Sequence, residues 1–91
     1  MARFTFNSRL LRLRKNALCI NIPDDIASKI PRDTWYVDSV SIDVENKGTL
    51  NMTPHYILTH PRYRITIPQA EINRMDLRLK DNVTVRIECD A

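Results

Sequence analysis

Apolar and polar residues alternate with a period of two in four stretches of the chain. Leu18, Ile20 and Ile22 alternate with Cys19 and Asn21; Val40, Ile42 and Val44 with Ser41 and Asp43; Tyr63, Ile65 and Ile67 with Arg64 and Thr66; Val83, Val85, Ile87 and Cys89 with Thr84, Arg86 and Glu88. Such alternation predicts half-buried strands with one face on a core. Phe4 with Phe6 and Leu11 with Leu13 set the same period nearer the start, which turns Arg12 and Arg14 outward. After Ile22-Pro23 and again after Ile67-Pro68 the period changes. Ile26, Ala27 and Ile30 suit one short helix; Ile72 and Met75, extended by Leu77, suit a second. Each proline stands at a helix start, where its missing N–H costs nothing. Asp24 and Asp25 complement the first helix dipole, and Pro31 stops that helix.

The two Ile-x-Ile-Pro runs lie 45 residues apart, and more of the chain follows them. At nearly that offset Phe4 and Phe6 face Leu50 and Met52, Leu11 and Leu13 face Tyr56 and Leu58, and Leu18 faces Tyr63. Asp38, Val40 and Ile42 fall near Asp81, Val83 and Val85 after a shift of two residues. Each half thus reads strand, strand, short helix, strand: repeat one spans about 1–46 and repeat two about 47–91 of a single domain. Neither half is large enough to bury its own core. The expected fold is mostly β with two short helices: a closed six-stranded, pseudo-two-fold β barrel built from two β-β-α-β repeats. Closure removes exposed sheet edges. One chain holding both halves is expected to be a monomer.

Composition adds exclusions. No apolar run reaches 18 residues, so no membrane span is predicted. The basic N-terminus lacks a continuous apolar stretch, which predicts a cytoplasmic protein without a signal peptide. Cys19 and Cys89 show no Cys-x-x-Cys or Cys/His ligand spacing and are expected as reduced thiols; with His55 and His60 they match no familiar zinc pattern. A chain with one glycine has no phosphate-binding loop, and no Ser/His/Asp arrangement stands at readable spacing. No enzyme and no cofactor are expected. The net charge is only +3, but it is unevenly spread. Residues 1–23 hold Arg3, Arg9, Arg12, Arg14 and Lys15 with no acid, and residues 46–70 hold Lys47, Arg62 and Arg64 with no acid.

The segment RYRITIPQAEINRMDLRLKDNVTVRIE resembles the swapped-hairpin module of AbrB-like transcription factors, through Ile65, Ile67, Pro68, Ile72, Met75, Leu77, Asp81, Val83 and Val85. Lys80 takes the place of that module's glycine, and Val37 does so in the weaker upstream copy. AbrB-like chains carry one unit and dimerise. A chain with two is similar to single-chain cradle-loop barrels of the RIFT type, such as small archaeal stand-alone proteins and the second N-terminal subdomain of Cdc48-type ATPases. The resemblance implies basic hairpins laid on double-stranded DNA in a transcription regulator, or a protein-interaction barrel as in the ATPase subdomain. A small-ligand cradle is a third reading.

Arg9, Arg12, Arg14, Lys15, Arg62 and Arg64 are the candidate nucleic-acid-binding residues, because outward cations on equivalent hairpins would meet phosphates. The competing reading is a solvated strand face on which arginines protect an edge. Asp81, and Asp38 with it, are expected to accept backbone N–H bonds in their turns. Trp35 is expected in the core or capping the barrel, and His60 at a hairpin tip.

Overall fold

The computed structural model describes residues 2–15, 17–30, 36–37, 39–52, 55–56 and 64–89. In chain order these form β1 (Ala2–Arg9), β2 (Leu11–Arg14), β3 (Ala17–Asn21), α1 (Asp24–Ala27), β4 (Tyr36–Val37), β5 (Ser39–Val44), β6 (Gly48–Met52), β7 (His55–Tyr56), β8 (Arg64–Thr66), α2 (Gln69–Met75) and β9 (Asn82–Cys89). Three antiparallel sheets result: β1-β9-β5-β6, β2-β3-β8 and the short pair β4-β7. The fold is therefore mostly β with two short helices. Among the described residues no unbroken ladder runs round into a closed barrel.

The strands of the two halves are interleaved. β1 of the first half pairs with β9 of the second, and β6 of the second pairs with β5 of the first. β3 pairs with β8, and β5 with β9. The registers obey a two-fold relation. Ile20 stands opposite Ile65, and the flanking pairs Cys19–Thr66 and Asn21–Arg64 exchange when each residue is moved by 45 positions. Ile42 stands opposite Val85, and Val40–Ile87 exchanges with Val44–Val83 at an offset of 43. The two-residue difference between these offsets is the insertion seen in the upstream copy. The short pair fits as well. Val37 pairs with His55, and the corresponding positions in the other half are Lys80 and Leu10: the Lys80 N–H donates to the Leu10 carbonyl, and the Leu10 N–H donates to the Asp81 carbonyl.

Ile20, Ile65, Ile42 and Val85, the four residues at the centres of these registers, are completely buried. Around them lie Phe6, Leu10, Ile22, Leu50, Ile67 and Met75 within one contiguous core. Each such side chain contributes about 1.5–3 kcal/mol through burial. Neither half holds this interior alone, so the interleaving follows from the need to cover both apolar faces.

Turns and caps match the sequence chemistry. The Pro23 carbonyl receives the Ile26 and Ala27 N–H groups at the start of α1, and the Pro68 carbonyl receives those of Glu71 and Ile72 at the start of α2. Asp76 ends α2 in the left-handed region (φ 52°), and the Leu77 N–H reaches back to the Ile72 carbonyl. That arrangement satisfies helix-end carbonyls. Gly48 (φ 110°) and Asn46 (φ 64°) close the β5–β6 hairpin. Lys80 adopts φ 71°, the backbone state a glycine supplies at this place in the resembling family's pattern.

One expectation changes at β2. The alternation predicts Leu11 and Leu13 inward. Instead Leu10 is fully buried at the corner between β1 and β2, and Leu11 is 37% exposed. Arg12 stands opposite Leu18 and Arg14 opposite Ala17, with a bulge between them. An extra residue in one strand inverts the side-chain alternation beyond it. Arg12 consequently shares the sheet face of Leu18, Ile20 and Ile65, while Arg14 shares the opposite face.

Candidate functional site

Arg9, Arg12, Arg14 and Lys15 occupy one nearly continuous run of chain along the end of β1, the β1–β2 corner and β2. All four are exposed, and none makes an ion pair among the described residues. Fully extended, the run would measure at most about 20 Å, and the corner at Leu10 and the bulge after Arg12 shorten it. β2 is an edge of the three-stranded sheet. Side chains of an edge strand reach past the sheet margin from both faces. The bulge therefore sets Arg12 and Arg14 astride that edge. Lys80, also exposed, is tied to the middle of the run by its backbone N–H to Leu10 (2.8 Å).

Arg64 does not join this run. It lies on β8, the far edge of the same sheet, and is half-buried opposite Asn21. Strand spacing and rise put its backbone roughly 16 Å from that of Arg14. The Arg64 guanidinium lies beside Cys19, which is only 3% exposed rather than outward as its alternation suggests. Burial pushes the Cys19 thiol up, and the charge and hydrogen bond of Arg64 offset this only in part. A thiol held protonated is a poor nucleophile. Arg62 and Asp38 lie outside the described residues, as do Trp35 and His60.

Asp81 is held in place by two donors. Its Oδ2 accepts the Arg78 N–H at 2.8 Å and Lys47 Nζ at 2.7 Å. Lys47 Nζ also donates to the Asp76 carbonyl. Partial burial alone would raise the Asp81 pKa. The Lys47 hydrogen bond, the Arg78 N–H and the charges of Lys47 and Arg78 outweigh it and hold the carboxyl below its ordinary value. The bridge joins the β5–β6 turn to the turn before β9.

The outward face of the four-stranded sheet is polar and self-neutralised. Arg86 pairs with Asp43 at 2.8 Å and Arg3 with Glu88 at 3.8 Å. Thr49 donates to Asp43, Thr84 to Asn7 and Asn82 to Glu45. The Thr49 hydrogen bond, with help from Arg86, lowers the Asp43 pKa against slight desolvation. Arg3 and Arg86 on this face are matched locally, whereas Arg9, opposite Asn82 at the end of β1, makes no ion pair among the described residues.

The β2–β3 hairpin and the segment from α2 to Leu79 bound a groove of about 540 Å³. Leu18, Ile72, Leu77 and Leu79 supply aliphatic side chains, Arg12 and Lys15 stand on one side, and among the described residues no acidic side chain lines it. Leu79 is 42% exposed. The Leu77-x-Leu79 spacing was visible in the sequence, but its closeness to Arg12 depends on the Leu10–Lys80 link, which joins residues far apart in the chain.

Among the described residues no group of His, Cys, Asp and Glu is arranged to hold a metal ion, and no helix is long and apolar enough to cross a membrane. No family model and no curated protein matches the chain.

Proposed function

We propose that this is a non-enzymatic nucleic-acid-binding protein, of the kind the AbrB-like resemblance implies, that lays the β2 edge on the phosphate backbone of double-stranded DNA. The observation that carries the reading is the run Arg9, Arg12, Arg14 and Lys15, exposed and without acidic partners among the described residues, which passes from the end of β1 along β2, an edge of the three-stranded sheet. At 3.4 Å per base pair, a run of at most about 20 Å spans no more than roughly six base pairs, which places several phosphates of one strand within reach. Guanidinium groups suit this task because their donors fork onto phosphate oxygens.

The interleaved pairing of the halves supports a further structural proposal: the sheets belong to one closed six-stranded barrel of the cradle-loop type. In this reading a single cytoplasmic chain supplies what one-unit relatives assemble from two.

Binding of a mixed-sequence DNA duplex, followed by fluorescence anisotropy across a salt series, tests the function. Four neutralised phosphates predict a log–log slope of about −3 to −4. Replacing Arg9, Arg12, Arg14 and Lys15 together by glutamine should abolish binding. Replacing Arg3 and Lys29, cations outside the run, should leave it intact. A native chain that shows no salt-sensitive binding would overturn the proposal, as would equal losses in both variants.

A further inference from the structure

The groove beside Arg12 has three properties that together specify an occupant. Leu18, Ile72, Leu77 and Leu79 form an aliphatic part of its wall, and Leu79 is one of two large hydrophobic side chains left exposed among the described residues. Its charged groups, Arg12 and Lys15, are both cationic and make no ion pair among the described residues. Its frame is fixed at both ends by backbone hydrogen bonds: Lys80 N–H to the Leu10 carbonyl (2.8 Å), and Ile67 N–H to the Leu18 carbonyl (3.0 Å) just before α2. The groove is shallow and open to solvent, a shape that suits a segment laid along it better than an enclosed small molecule. Duplex DNA satisfies the cations but leaves the aliphatic walls uncovered, since it offers them only phosphate and sugar.

We infer that this groove docks an acidic, amphipathic segment of a partner protein, with apolar side chains seated on Leu18, Ile72 and Leu79 and carboxylates beside Arg12 and Lys15. The apolar contacts supply burial, and the charges select for acidic sequences and speed encounter. The segment shares Arg12 and Lys15 with the proposed DNA contact, so the two partners exclude one another. Arg14, on the opposite sheet face, serves DNA alone.

The test uses the full chain and a fluorescent synthetic peptide that carries leucines on one helical face and glutamates on the other. Two control peptides replace the leucines by serine or the glutamates by lysine. The native chain should bind the first peptide at least about tenfold tighter than either control, a difference of roughly 1.4 kcal/mol. Leu79→Asn should lose that binding and retain DNA binding; Arg14→Gln should weaken DNA binding and retain the peptide. Leu79→Ser, a milder change at an exposed position, repeats the test, and each variant's thermal melt checks its folding. The inference is overturned if the serine peptide binds equally well, or if folded Leu79 variants bind like the native chain. It is also overturned if a fluorescent long-chain carboxylate occupies the groove while the peptide does not, or if sedimentation shows Leu79-dependent self-association. Loss of the DNA reading alone leaves the peptide result standing, so the two failures are separable.

Discussion

At the scale of single residues, the strongest polar interaction is the one that ties Asp81 to Lys47 and to the Arg78 N–H. Both side chains are about one-fifth exposed, so solvent screens the pair only in part. Hydrogen bonds to charged groups contribute about 1.5–3 kcal/mol, and screening trims this toward the lower end. Asp81→Asn should therefore destabilise the chain by about 1–2 kcal/mol at neutral pH, measured by urea unfolding. The sign of the pH dependence follows from the lowered carboxyl pKa of the folded state. The stabilisation is fully present above the unfolded carboxylate value of about 3.9 and disappears as pH falls through the folded value. Native and variant curves should thus converge in strong acid. A gap that persists there would show that the charge is not what stabilises the turn. The turn role of Asp81 was legible in the sequence from its place before the last strand. Its partner was not, because Lys47 lies 34 residues away and meets it only through the pairing of β5 with β9.

At the scale of elements, alternation located β3, β5, β8 and β9 because each has one face on a single core. It misplaced the inward residues of β2. Three leucines within residues 10–13 fit two registers equally well, and the pattern alone gives no sign of a corner at Leu10 or a bulge after Arg12. A one-residue slip flips every side chain. Here it divided Arg12 from Arg14 and brought Arg12 to the groove. The observed register makes a mutational prediction opposite to that of simple alternation. Leu10→Ala should cost about 2–5 kcal/mol, as expected for a fully buried leucine. Leu11→Ala should cost less than about 1 kcal/mol, as a largely surface change. Thermal or chemical denaturation of both variants decides the matter; a larger loss for Leu11 would contradict the corner at Leu10.

At the scale of the molecule, the two-fold relation of the registers sets strands from both ends of the chain around one continuous interior. The repeat was readable because Ile20 and Ile65, like Ile42 and Val85, occupy matching positions that meet at register centres. The candidate site was less readable. Two-fold symmetry suggested arginines around equivalent hairpins, but charge does not obey the symmetry: Arg64 is half-buried beside Cys19, while Arg9, Arg12, Arg14 and Lys15, which make no ion pair among the described residues, follow one another from the end of β1 through β2. Burial is shared equally between repeats because both face one core. Surface charge is under no such constraint. The most direct test of the proposed function is an NMR titration of the isotope-labelled chain with duplex DNA, read at every backbone amide. The shifts should concentrate at Arg9 to Lys15 and around Lys80, and fade as salt is raised. Shifts centred on Thr5, Thr84 and Ser41 of the outward sheet face, or none at all, would contradict it.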